Sequence, residues 1–293
     1  MFKDMFGNIR YKVALHVHTM NSDGKISEAD AIERYRSAGY DVVALTDHWK
    51  YHREEKLGNI RVIPGCEFDN GEGDTSVGVM HIIGIGMKEM PSDISRASSR
   101  QEVIDSIVAH GGIAILAHPA WSNNTPEDLL GLTGISAVEI YNTVSGFNQS
   151  FSPDSSYFCN LVSNRGIDYP LVAADDSHFY NGDECRSYIM AAAASDKSDD
   201  IISAIKSGNF YATQGPELHV RREGNKIIAD CSPVDELFFI SSSAYISDRC
   251  RRQGNITHEE YKIRPTDRWV RVEARAGNDY AWSNVIRIQP QKG

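Results

Sequence analysis

Two histidines one residue apart, His16 and His18, close the apolar run Val13-Ala14-Leu15. Side chains two apart on a β-strand share a face, so both imidazoles can reach one cation while Val17 points to the other side. Seven further ligand-type residues lie at or just after the ends of short apolar runs: Asp23, His48, Glu67, His81, His118, Asp176 and His178. Imidazole and carboxylate donors together suit zinc, manganese or iron, and nine such groups exceed what one ion accepts, so two or three divalent ions are implied. A bridging carboxylate is then expected, and Glu67, which follows Val62-Ile63-Pro64, is the candidate. Cations held close together can deprotonate a bridging water near neutral pH and polarise a phosphoryl oxygen, which is the chemistry of ester hydrolysis.

The elements that must position these groups are legible from about residue 10 to 210, where short apolar runs alternate with amphipathic segments in the manner of βα units. Ser27 is placed to cap a helix with Asp30 at its third position, Ile32 and Tyr35 on one face and Gly39 as its stop. A second helix around Gln101 to His110 ends at Gly111-Gly112, and Thr125-Pro126 reads as a further helix start. The runs Val42 to Leu45, Ile113 to Ala117, Ala137 to Ile140 and Leu171 to Ala174 each end in polar or ligand-type residues. Chemistry gathered at the C-terminal ends of strands is the arrangement of a (β/α) barrel. After Thr213 the texture changes to short alternating strands, so the chain is expected to divide into a barrel over 1–214 and a small antiparallel β-sandwich over 215–293.

Length and charge narrow the function. The chain has 293 residues, 41% of them hydrophobic, enough for a full core. A formal net charge of −10 argues against binding duplex nucleic acid through a broad basic surface, while leaving room for a few cations around a small anion. No apolar stretch approaches the ~20 residues of a membrane span, and Met1-Phe2-Lys3-Asp4 lacks the layout of a signal peptide, so a cytoplasmic protein is expected. The five widely spaced cysteines read as reduced, mostly buried thiols.

In order along the chain, His16-x-His18 with Ser22-Asp23-Gly24, Thr46-Asp47-His48, Gly65-Cys66-Glu67, His81 within Met80 to Gly84, Ala117-His118-Pro119 and Asp176-Ser177-His178 resemble the motif series of the polymerase and histidinol phosphatase (PHP) family over residues 10 to 215. The resemblance implies a distorted seven-stranded (β/α) TIM-like barrel with a trinuclear site and metal-dependent phosphoesterase activity on a small phosphorylated molecule or nucleotide. Carried over, His16, His18, Glu67 and Asp176 hold the first metal, Asp23, His48 and His178 the second, and Glu67 bridges to a third completed by His81 and His118. Asp176, Glu67 and His178 are the expected catalytic residues. Asp23 stands where some members of the family place a histidine. The segments Gly208 to Thr213 and Ala281 to Asn284 resemble the carbaryl-hydrolase-like branch, which appends a β-rich domain.

Trp121, Tyr141, Asn142 and Arg186 follow strand ends or the last motif and are candidates for substrate contact. Asp47 and Asp175 stand beside ligands and are candidates for orienting imidazoles, with helix caps or turns as the structural alternative. His52, His110, His219 and His258 are left outside the site. The same metal chemistry would serve a nuclease acting from the 5′ or 3′ end of short single strands, or a carbamate or amide hydrolase. A binding module that keeps metal for structure is the non-catalytic alternative.

Overall fold

The computed structural model describes residues 1–70, 78–147, 151–244 and 247–288. Strands dominate, with four α-helices among the described residues: Glu28–Ser37, Arg100–Ala109, Ser156–Asn164 and Ser198–Lys206. Ser27 caps the first by accepting from Asp30 N at 3.2 Å, and that helix buries Ala31, Ile32 and Tyr35. Ser99 and Glu102 form a reciprocal capping box on the second, which ends at His110 before Gly111 at φ 87°. The start at Thr125-Pro126 opens a single 3-10 turn, Pro126–Leu129, and goes no further. No helix among the described residues is long and apolar enough to cross a membrane.

Two sheets frame the site. In one, the strands Tyr188–Ala191, Ile9–Ala14, Val42–Ala44 and Ile60–Ile63 are successive neighbours. In the other the order is Leu171–Ala174, Ile135–Asn142, Ile113–Leu116, Met80–Ile85 and Gly65–Asn70. Pro64 explains the change of sheet between Ile63 and Gly65, since it has no N–H to continue the ladder. A Cβ on Gly65 would stand 2.4 Å from Leu45 O, so only glycine allows that close crossing.

The closed seven-stranded barrel expected from the sequence is not formed by continuous ladders. Among the described residues the two sheets meet through single bridges, His48 with Glu67, His52 with Gly65 and Val17 with Ser177. The uniform βα pattern also fails: Met80–Ile85 runs antiparallel to both neighbours, and Tyr188–Ala191 runs antiparallel to Ile9–Ala14 and to Phe210–Thr213. The connection after Asn70 is too short for a crossover helix, and a short connection returns the chain antiparallel. What remains is an α/β fold of many strands and few helices.

The first sheet continues past Phe210–Thr213 into Asp279–Trp282, Trp269–Ala276 and Glu236–Ser241. A three-stranded sheet, Leu218–Glu223, Lys226–Val234 and Ile256–Lys262, closes over it around Leu218, Ile227, Leu237, Phe239, Tyr261 and Val272. A separate, larger core fills the space between the two framing sheets and three of the helices, and Trp282 belongs to it.

Candidate metal centre

His16 and His18 follow the strand Ile9–Ala14 and are fully buried, while Val17 between them packs with Ala14, Ala31 and Tyr35. Backbone bonds hold this segment in place: His18 N donates to Ser177 O at 3.0 Å and Asp176 N to His16 O at 2.9 Å. His48 follows Val42–Ala44, His118 follows Ile113–Leu116, and Asp176 and His178 follow Leu171–Ala174. Glu67 and His81 sit inside adjacent antiparallel strands. Asp23 lies on the loop after His18, its side chain 53% exposed.

All nine residues converge. His16 Nε2 lies 3.1 Å from His18 Nε2, 3.3 Å from Glu67 Oε2 and 3.1 Å from Asp176 Oδ1. His18 Nε2 lies 3.1 Å from Glu67 Oε2 and 3.2 Å from Asp176 Oδ1. A regular tetrahedron with metal–ligand bonds of about 2.0–2.1 Å has edges of roughly 3.3–3.4 Å, and these five separations come close to that spacing, within about 0.3 Å of it. Asp23 Oδ2 lies 3.3 Å from His178 Nε2 and 3.9 Å from His48 Nε2. His81 Nδ1 and His118 Nε2 lie 3.1 and 3.4 Å from Glu67 Oε1. Glu67 thus turns one oxygen to each of two groups. Together the nine residues form three donor groups, each with ligand atoms within 4.8 Å of one another.

Electrostatics call for a cation in the middle. Buried His48 Nδ1, His81 Nε2 and Asp176 Oδ1 have no hydrogen-bond partner, an expensive state for polar atoms shut away from water. Burial pushes the His16 imidazole down, but Asp176, Glu67 and Glu139 outweigh it and raise its pKa to about 10. For Asp176 burial works upward and the imidazolium charges of His16 and His178 overcome it, holding its carboxyl far below the usual range. Neighbouring carboxylates thus draw positive charge to the imidazoles, and a divalent ion would supply the same charge.

The supporting shell differs in part from the sequence expectation. Glu139, fully buried in Ile135–Asn142, accepts from His16 Nδ1 at 2.8 Å, from His118 N at 2.8 Å and from Asn142 Nδ2 at 2.9 Å. It fixes the His16 tautomer so that Nε2 faces the cluster. Its one sequence signal is a charge within an otherwise apolar run. Asp47 orients none of the nine: it accepts from Thr19 N, Thr19 Oγ1 and Ser22 Oγ, each at 2.7 Å, and from His52 Nε2 at 2.8 Å. His52, set outside the site by sequence, is therefore a buried support for the loop that carries Asp23. Asp175 likewise takes Tyr35 Oη, Thr143 Oγ1 and the Arg186 and Ser187 amides. Burial pushes its carboxyl up to about 6 despite those bonds. His118 and Asp176 adopt φ of 27° and 53°, left-handed conformations that cost non-glycine residues energy and concentrate at functional sites.

The cluster opens into a cavity of about 190 Å³ lined by Asp23, His48, Glu67, His81, His118, Trp121, Asp176 and His178. Trp121 is thereby at the cavity wall, its ring 4.8 Å from that of His118. Asn142 reaches Asp176 Oδ2 at 3.2 Å from behind. Tyr141 stacks instead on Trp282 at 5.3 Å, and the Arg186 guanidinium lies 5.6 Å from the Phe147 ring. His110 caps its helix, His219 pairs with Glu217, and His258 pairs with Asp230.

Fold and site together define a class: an α/β protein whose strands and the loops after them gather histidine and carboxylate groups able to hold divalent metal. The chain is 32% identical over 125 residues to the uncharacterized protein MJ1587 of Methanocaldococcus jannaschii, which covers 37% of this chain and 67% of that one, and it belongs to the same family. No family model matches. Among solved structures, it shares its fold with a two-domain protein from Bacteroides vulgatus described as containing a predicted PHP-like metal-dependent phosphoesterase. That match has a TM-score of 0.56 at 14% identity and covers 98% of this chain and 97% of that one. A weaker match is an amidohydrolase from Chromobacterium violaceum, at TM-score 0.42 and 16% identity over 58% of this chain and 89% of that one.

Proposed function

We propose that this chain is a metal-dependent phosphoesterase of the polymerase and histidinol phosphatase family that hydrolyses a phosphate ester of a small molecule or nucleotide. The observation that carries the reading is the close convergence of His16 Nε2, His18 Nε2, Glu67 Oε2 and Asp176 Oδ1, with two more donor groups beside it. Zinc, manganese or iron suits these donors, and bound ions of this kind lower the pKa of water to about 7 and polarise a phosphoryl oxygen. The three groups make a trinuclear centre the fullest use of the nine residues. Glu67 bridges groups with its two oxygens, Asp176 and His178 complete the wall, and Trp121 bounds the cavity and keeps bulk water from one side. The 190 Å³ cavity suits a phosphoryl group with a small leaving part.

The test is metal analysis and turnover on the purified protein. Two or three transition-metal ions per chain and hydrolysis of p-nitrophenyl phosphate are expected. Asp176→Ala should lose at least one ion per chain and turnover with it. Metal-loaded protein that is inert toward a broad panel of phosphomonoesters and phosphodiesters, or cleaves only amides and carbamates, overturns the reading.

A further inference from the structure

Among the described residues no lysine or arginine lines the cavity, so the ions alone would meet the charge of a phosphate there. One guanidinium nevertheless stands a single ion pair away from His48. Asp69 lies two residues beyond Glu67 on the same strand, sharing its face, and is in register opposite His81. It is thus displaced from the cluster toward the end of the strand, where the parallel strands deliver their ligands. Its side chain is 4% exposed. Oδ1 has no hydrogen-bond partner and lies 3.8 Å from His48 Nδ1, and Oδ2 accepts from Arg96 Nη1.

Arg96 is itself 59% exposed, and its guanidinium lies 5.6 Å from the centroid of the Trp49 ring, which is braced edge-on against Phe68 at 4.9 Å. The guanidinium is therefore held at one nitrogen and one face. Its Nε and Nη2 have no partner among the described residues and keep the fork geometry that matches two oxygens of a phosphoryl group. A surface arginine loses much rotamer freedom on binding an anion; here Asp69 and Trp49 have already restricted it.

We propose that Arg96 is the substrate-binding side chain that captures phosphoryl oxygens at the His48 side of the cavity, held ready by Asp69 and Trp49. This rests on the phosphoesterase reading. Arg96 adds a fixed positive fork where the described wall of the cavity has none, and Asp69 ties that fork to a carboxylate that lies 3.8 Å from His48.

The experiment is calorimetric titration of inorganic phosphate into metal-loaded wild type, Arg96→Gln and Arg96→Lys, with metal content measured on the same samples. The Gln variant should keep its metal and bind phosphate at least about tenfold more weakly, the loss expected for one charge-assisted forked contact. Lys keeps the charge beside Asp69 but not the fork, and should fall between. In turnover, KM should rise while kcat stays within about threefold, the pattern of lost uniform binding. Phosphate binding by the Gln variant equal to wild type overturns the proposal, as does a loss that only follows loss of metal. Should the Gln variant fail to fold, phosphate binding by the Lys variant equal to wild type overturns it. Wild type that hydrolyses esters beside an indifferent Arg96→Gln overturns this inference alone; metal-loaded wild type that neither binds phosphate nor hydrolyses esters overturns both.

Discussion

Two imidazole nitrogens held 3.1 Å apart with two carboxylate oxygens equally near cannot rest there without positive charge between them. The arrangement is supported from behind by Glu139, whose two oxygens serve His16, the His118 amide and Asn142 at once. Glu139→Gln keeps the shape but must turn an amide N–H toward one of those donors. Metal affinity in that variant should fall about 10–100-fold, the range for lost outer partners of ligating histidines, measured by competition with a chelator. At this scale the nine residues that converge were legible from sequence, because histidines and carboxylates beside apolar runs stand out. Glu139 was not, because nothing local tells a charge that orients a ligand from one that simply faces solvent. Asp69 and Arg96 were hidden for a related reason: their meeting depends on a pairing across 27 residues of chain.

The loop from Thr19 to Gly24 delivers Asp23, and one carboxylate holds it. Burial would raise the Asp47 pKa, but bonds from His52, Thr19 and Ser22 bring it down to about 2. A depressed folded-state value stabilises the fold above the ordinary 3.8 and loses that stabilisation as pH falls through about 2. The stability gap between wild type and Asp47→Asn should therefore shrink by about 2 kcal/mol from pH 5 to pH 2, read from urea denaturation at each pH. A gap constant with pH would show that the loop is held some other way. The helix Glu28–Ser37 and its cap were legible because capping chemistry is local. The direction of Met80–Ile85 was not, since an apolar run of that length is equally at home parallel or antiparallel.

At the scale of the whole molecule the first sheet takes strands from both sides of residue 214, as Phe210–Thr213 pairs with Asp279–Trp282. Arg271 Nε donates to Asn160 Oδ1 at 2.9 Å and Trp269 Nε1 to Asn164 Oδ1 at 3.1 Å, fastening the later strands to the helix Ser156–Asn164. Trp282 fills part of the main core. The full chain should unfold in one cooperative transition, and a fragment ending at residue 214 should be insoluble or melt at least about 10 °C lower, as followed by circular dichroism. Two separate transitions, or a fragment as stable as the whole, would mark 1–214 as an independent domain. The sequence by itself determined which residues can ligate metal, which local segments cap and turn, and that the chain is α/β, because donor type, capping and periodicity are properties of neighbouring residues. Only the tertiary structure decided how closely the nine donors approach one another, that the framing sheets touch at single bridges instead of closing a barrel, and that Glu139, Asp69 and Arg96 belong beside the cluster. Those outcomes depend on which strands pair and in what register, which follows from packing over the whole chain.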